Sequence, residues 1–254
     1  MKSFYLFSIL FSVLFIAGCS SLKDTANLTS DEKFAYAMSL FNEEDYDEAV
    51  NEFQAIILQY PGSSIVDDAQ FYLAETRFRR EEFILAAYEY SKLISNMPAS
   101  EFVTNAQFQL AECYYQLSPN YTLDQRYTSK AIEEYQAFID FFPLDERVNS
   151  ADQKIKELNE KLALKEFSTA EIYSKMDYSN AAIFYYTNVL ENYHDTKLAP
   201  QASYKKILIL IDRERNNEAL TEINRFLQKY PEDENYAEIE RLKTSIEISL
   251  SASR

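Results

Sequence analysis

The chain has 254 residues, 47% hydrophobic and 26% charged, a composition that folds and excludes intrinsic disorder. Two glycines (Gly18 and Gly62) and one histidine (His194) exclude glycine-rich phosphate loops, imidazole zinc clusters and histidine-based triads, so neither cofactor nor metal is expected. The net charge of −16 repels the phosphate backbone, and nucleic acid is not an expected partner.

Lys2 precedes an apolar run from Phe4 to Ala17, broken only by Ser8 and Ser12. Fourteen residues are too few to span a bilayer, which takes about twenty, but they suit a secretory signal. The run closes on Ile16-Ala17-Gly18-Cys19, which resembles the lipobox of bacterial lipoproteins. That resemblance implies removal of residues 1–18 and acylation of the Cys19 thiol, with Ser20 in place of Asp pointing to the outer membrane. Acyl chains contribute about 0.8 kcal/mol per buried methylene, enough together to hold a protein without a spanning helix. Residues 19–30 read as a lipidated flexible tether. Cys113 is then left without a disulfide partner and reads as a small buried hydrophobe.

The body repeats itself. Ala49, Phe53 and Pro61 recur as Ala86, Tyr90, Pro98 and as Ala131, Tyr135, Pro143, then more loosely as Ala182, Tyr186, His194 and Ala219, Ile223, Pro231. Earlier small or aliphatic landmarks, Ala37, Ala74, Ala111, Ala170 and Ile207, mark a preceding helix in each copy. This pattern resembles the tetratricopeptide repeat, a helix-turn-helix unit of about 34 residues. It implies an all-α fold, a superhelical solenoid of five helix-turn-helix repeats. The copies are longer than that unit because of two insertions: a turn-rich loop over 117–129 inside the third hairpin, and a charged helical stretch over 147–164. Repeats 1–3 fall in 31–143, and the helical extension with repeats 4–5 in 144–254. In the first two copies Tyr46 and Phe83 plug the hairpin turn, and the acidic runs beside them read as solvated turn charge.

Two files of aromatics mark the first helices. Phe34, Phe71, Phe108, Phe167 and Tyr204 stand three residues before the landmarks, at a position expected to pack inward. Phe41, Phe78 and Tyr115 stand four residues after them, confined to the first three copies. These share a helix face with the first file, and could fill the core or face a groove that accepts apolar side chains of an extended peptide. Asn42, Arg79 and Gln116, each beside a second-file ring, would offer polar partners to its backbone.

Lipobox, tether and five repeats together resemble the BamD-like lipoproteins of the β-barrel assembly machinery, most tellingly in FAYAMSLFNEEDYDEAVNEFQAIILQYPGSS and STAEIYSKMDYSNAAIFYYTNVLENYHDT. The resemblance implies a non-enzymatic scaffold anchored to the outer membrane by its lipid and facing the periplasm. It implies recognition of the C-terminal segment of unfolded barrel precursors by the N-terminal repeats, at Phe41, Phe78 and Tyr115. It also implies docking on the periplasmic domains of the central barrel-forming subunit around Tyr185, Arg213 and Arg215. An alternative is a tethered repeat adaptor for a pilus secretin or a cell-wall synthesis and division complex.

Overall fold

The computed structural model describes residues 27–252; Cys19, the signal peptide and most of the tether lie outside the described residues. Eleven α-helices and no strand occur among them. The first hairpin is α1 (Ser30–Asn42) with α2 (Tyr46–Gln59), the second α3 (Val66–Arg79) with α4 (Phe83–Asn96), and the third α5 (Val103–Leu117) with α6 (Arg126–Phe141). Then come α7 (Val148–Lys175) with α8 (Ser179–Asn192), α9 (Ala199–Asp212) with α10 (Asn216–Lys229), and α11 (Tyr236–Ala252). The chain divides into two compact units, one up to Ala69 and one from Gln70 onward. Within the second, each helix from α4 packs on the next in sequence, the one-dimensional contact pattern of a helical repeat array.

The landmark residues make the hairpins. Ala37, Ala74, Ala111, Ala170 and Ile207 on first helices, and Ala49, Ala86, Ala131, Ala182 and Ala219 on second helices, are all fully buried. Small side chains let antiparallel backbones approach, and the aromatic four residues on fills the space beside them. Phe53, Tyr90 and Tyr135 have no exposed surface, and Tyr186 has 1%. The first aromatic file packs against these rings: Phe34 lies 5.9 Å from Phe53, Phe108 5.9 Å from Tyr135, and Phe167 5.4 Å from Tyr186.

Four hairpins turn in the same way. The αL residue that ends the first helix is Glu44, Glu81, Asp177 or Glu214, with φ of 57–63°. Its N–H donates to the carbonyl of Phe41, Phe78, Ser174 or Ile211, and the next N–H reaches back to Leu40, Arg77, Tyr173 or Leu210. That pair of bonds is a Schellman motif, which usually takes glycine because a β-carbon crowds the left-handed backbone.

The joints between hairpins are equally constant. Tyr60, Met97, Phe142, Tyr193 and Tyr230 each end a second helix with φ between −124° and −132°. Two overlapping turns follow, through Ser63, Ser100, Asp145, Thr196 and Asp233, to the head of the next element. Proline stands just after the helix end in four joints, where it cannot continue the helix. His194 occupies the fourth joint with the same backbone, so packing rather than proline sets the geometry.

Several boundaries differ from the sequence expectation. Helix α1 starts at Ser30 because Thr29 and Glu32 form a capping box, the Thr29 N–H donating to Glu32 Oε2 at 2.9 Å. The loop of the third hairpin is only 118–125, since Tyr127, Thr128 and Ser129 are taken into α6. The buried Gln125 side chain closes that loop, donating to the Asn120 and Leu123 carbonyls and accepting from Thr128 Oγ1 at 2.7 Å. The charged stretch over 147–164 is no separate helix. It runs unbroken into the first helix of the fourth hairpin as the 28-residue α7, with neither Gly nor Pro to stop it. Ala151 and Leu158 of its first half pack with Ala131, Tyr135 and Phe138, whereas Ala163, Phe167 and Ala170 pack with Ala182 and Tyr186. Helix α11 covers the fifth hairpin, burying Ile239 and Ile246 against Ile223 and Phe226.

Two outcomes test the hairpin turns and the joints. Glu81→Gly removes a left-handed strain of about 1–2 kcal/mol and adds back about 0.5–1 kcal/mol of chain entropy. It should raise the urea midpoint, with a gain of roughly 0.5–1 kcal/mol; an unchanged or lower midpoint would mean the turn is not strained. At the third joint, the Arg147 guanidinium bonds both carboxylate oxygens of Asp145 at 2.8 Å and holds its carboxyl down to about 2. A depressed carboxyl stabilises the fold above its ordinary value of 3.8, and that stability is lost as pH falls from there through 2. Asp145→Asn should therefore be less stable than the parent at pH 7, the gap closing in urea melts between pH 4 and pH 2; a gap independent of pH would refute the pairing.

Candidate functional site

The second aromatic file lies at the last turn of each first helix, and the structure treats its three members differently. Phe41 is half-buried and meets Tyr46 edge-on at 6.0 Å, across its own hairpin turn. Phe78 meets Phe83 in the same way at 5.3 Å and packs on the cluster of Ala74, Ala86 and Tyr90. Tyr115 instead meets Tyr135 of α6 edge-on at 6.3 Å, and α7 supplies its polar neighbours. Its hydroxyl donates to the Glu157 oxygens at 2.9 and 3.0 Å, and burial together with that carboxylate raises its pKa. Lys154 Nζ stands 4.2 Å from the ring centroid and is tied to Glu112 at 2.7 and 2.8 Å. Asn42, Arg79 and Gln116 are exposed.

The other expected residues lie on the fourth and fifth hairpins. Arg213 and Arg215 flank the αL residue Glu214 and reach across to the corresponding turn of the fourth hairpin. Arg213 pairs with Asp177 and donates from Nε to Ser179 Oγ at 2.8 Å; Arg215 Nη1 donates to Asn180 Oδ1 at 3.0 Å. Arg215 also grips Glu218 through two bonds of 2.7 Å, which pulls that carboxyl down. The side chains enclose an open cleft of about 650 Å3, lined by Tyr173, Asp177, Tyr178, Asn180 and both arginines. Tyr185 lies one ring behind it, stacked on Tyr173 at 5.3 Å and 8°. Phe184, 59% exposed, meets Tyr185 edge-on.

Tyr185 also breaks an internal rule. Three residues after the second-helix alanine stand Glu52, Glu89, Glu134, Tyr185 and Glu222. Each glutamate is tied to its own first helix: Glu52 to Lys33 at 3.5 Å, Glu89 to Gln70 and Glu134 to Gln107 at 2.8 Å, and Glu222 to Ser203 at 2.9 Å. In the fourth hairpin Glu166 stands on the first helix and bonds Asn188 at 3.0 Å instead, releasing position 185 from the tie. Tyr173, Asp177, Tyr178 and Asn180 escaped notice in the sequence, although Asp177 and Glu214 stand at the same phase of consecutive repeats and so had to face each other's turns.

Comparison with known proteins supplies the family. Residues 26–207 match the YfiO family, described as outer membrane lipoprotein. The chain belongs to this family. The YfiO match takes in the first four hairpins and ends inside α9, ahead of Arg213 and Arg215. A relative, the outer membrane protein assembly factor BamD of Rickettsia prowazekii, is 26% identical over 196 residues, 76% of this chain and 78% of its own. Among solved structures, the TPR2AB domain of yeast Sti1 is 13% identical with a TM-score of 0.42, over 87% of this chain and 84% of that one. A tetratricopeptide protein of Thermus thermophilus is 16% identical with a TM-score of 0.36, over 87% of this chain and all of its own.

Proposed function

We propose that this chain is a lipid-anchored assembly factor for β-barrel proteins, held through Cys19 on the periplasmic face of the outer membrane and acting without catalysis. The match to the outer membrane lipoprotein family over residues 26–207 carries the reading, together with the name of the Rickettsia relative. Unfolded barrel precursors expose alternating apolar side chains and unpaired backbone, which makes them prone to aggregate. A tethered repeat protein keeps apolar contacts at high local concentration beside the membrane.

In this reading the C-terminal segment of a precursor places apolar side chains against Phe41, Phe78 and Tyr115, with Asn42, Arg79 and Gln116 beside them for its backbone. The central barrel-forming subunit docks through its periplasmic domains on the arginine cleft and on Tyr185. The exposure of Asn42, Arg79 and Gln116 supports the first contact. The departure of Tyr185 from the glutamate rule supports the second: its ring stacks on Tyr173, which lines the cleft, in place of the polar tie made at the other four copies.

Depletion of the chain should lower the amounts of outer-membrane barrel proteins while leaving inner-membrane lipoproteins unchanged; unaltered barrel levels would favour a tethered adaptor serving another complex. Phe41→Ala and Phe78→Ala together should weaken photocrosslinking to a barrel-derived C-terminal peptide by about tenfold, the equivalent of roughly 1.4 kcal/mol. Equal crosslinking by a variant that keeps its helical circular dichroism would remove these rings from the peptide site.

A further inference from the structure

The five joints between hairpins share one backbone, so the side chains they carry can be compared within a single molecule. At the last residue of the second helix stand Gln59, Asn96, Phe141, Asn192 and Lys229, and three residues on stand Gly62, Ala99, Leu144, Asp195 and Glu232. Four of the five pairs are polar or small. The third sets a phenylalanine 74% exposed beside a leucine 99% exposed. The other four joints reach the same turns without an apolar side chain of that size at either position, so the fold does not require Phe141 or Leu144. Both border a cleft of about 340 Å3 that also takes in Thr104, Phe142, Pro143 and Asp145.

We infer that this joint docks a partner protein that sets one aliphatic or aromatic side chain into the cleft beside Leu144 and a lysine or arginine against Asp140 and Glu146. Charge selects this occupant. Asp140 and Glu146 are exposed and adjoin in sequence the lining residues Phe141 and Asp145, and Asp145 is already paired with Arg147, so the free charge carried next to the apolar spot is anionic. A lipid surface fits poorly, because apolar tips that enter a membrane are flanked by Lys or Arg that meet its phosphates. A second copy of this chain would bring the same acids together, and like charges set face to face oppose association. A partner protein needs only one such apolar anchor at the centre of a larger contact, with an opposite charge beside it to steer the approach. The inference stands apart from the assembly role, since none of these residues belongs to the aromatic file or to the arginine cleft.

The test places the photoreactive residue p-benzoylphenylalanine at position 144 of the full-length chain, in cells that lipidate it, and at position 99 of the equivalent joint as control. The probe at 144 keeps that position apolar. Irradiation should give one discrete adduct with a different polypeptide from position 144 and none from position 99. Mass spectrometry should map the attachment to an apolar residue within one helical turn of a lysine or arginine. Asp140→Lys with Glu146→Lys should cut the yield by about fivefold or more. Adducts with lipid alone, a band of twice the chain's mass, equal yields at both positions, attachment away from any basic residue, or no polypeptide adduct would each overturn the inference. Phe141→Asn with Leu144→Ala copies the second joint and should leave the urea midpoint unchanged. A large fall in that midpoint would return both residues to the fold and overturn the inference as well.

Discussion

Close approach of facing helices at a small residue is the constraint on which each hairpin rests. Ala74 and Ala86, Ala111 and Ala131, and Ala170 and Ala182 share buried clusters, where a bulkier side chain would press those helices apart; in the fifth hairpin Ile207 takes the first place and Ala219 keeps the second small. The aromatic four residues after the second alanine then has a slot of fixed width. Tyr90 and Tyr135 fill it completely and bring their hydroxyls to Glu75 and Glu112 on the first helices. Burial and those carboxylates push both tyrosines far above their ordinary pKa, so the hydroxyls remain donors at any physiological pH. The same packing seals Cys113, whose thiol is raised by burial and stays protonated and inert.

With their faces committed to neighbours, the helices of the second unit leave chemical variety to the turns. The hairpin turns of the fourth and fifth copies give the arginine cleft, and the joint after the third gives the exposed Phe141 and Leu144. Helix α7 joins the two halves of this unit because it belongs to both: its first half packs on the third hairpin, and its second half is the first helix of the fourth. The two insertions also meet there. Lys161 Nζ donates to Ser118 Oγ at 2.8 Å and Lys165 Nζ to the Leu123 carbonyl at 2.6 Å, so the long loop is fastened to the long helix.

Internal repetition makes the molecule its own reference. A glutamate tied to the first helix in four copies gives way to Tyr185 in the fourth, and a polar or small pair in four joints gives way to Phe141 and Leu144 in the third. Around Phe141 and Leu144 the turns are those of the other four joints, so this pair follows from no local demand of the fold, whereas at position 185 the tie passes to Glu166 and Asn188 and the ring stacks on Tyr173.

The sequence alone settled the number of hairpins and their landmark residues, because alanine and aromatic spacing is read within one or two helices; the inward place of the first aromatic file is an expectation that its ring contacts in the structure decide. Tertiary structure decided what depends on distant segments. Tyr115 is capped by Glu157 and Lys154 from a helix some forty residues on, a contact that no spacing rule within α5 contains. Arg213 and Arg215 close a cleft with Asp177 and Asn180 only because consecutive hairpins stack in phase. The 28-residue α7 and the covering α11 exist as they do because exposed apolar faces on the third and fifth hairpins had to be buried, and burial is a property of the assembled chain.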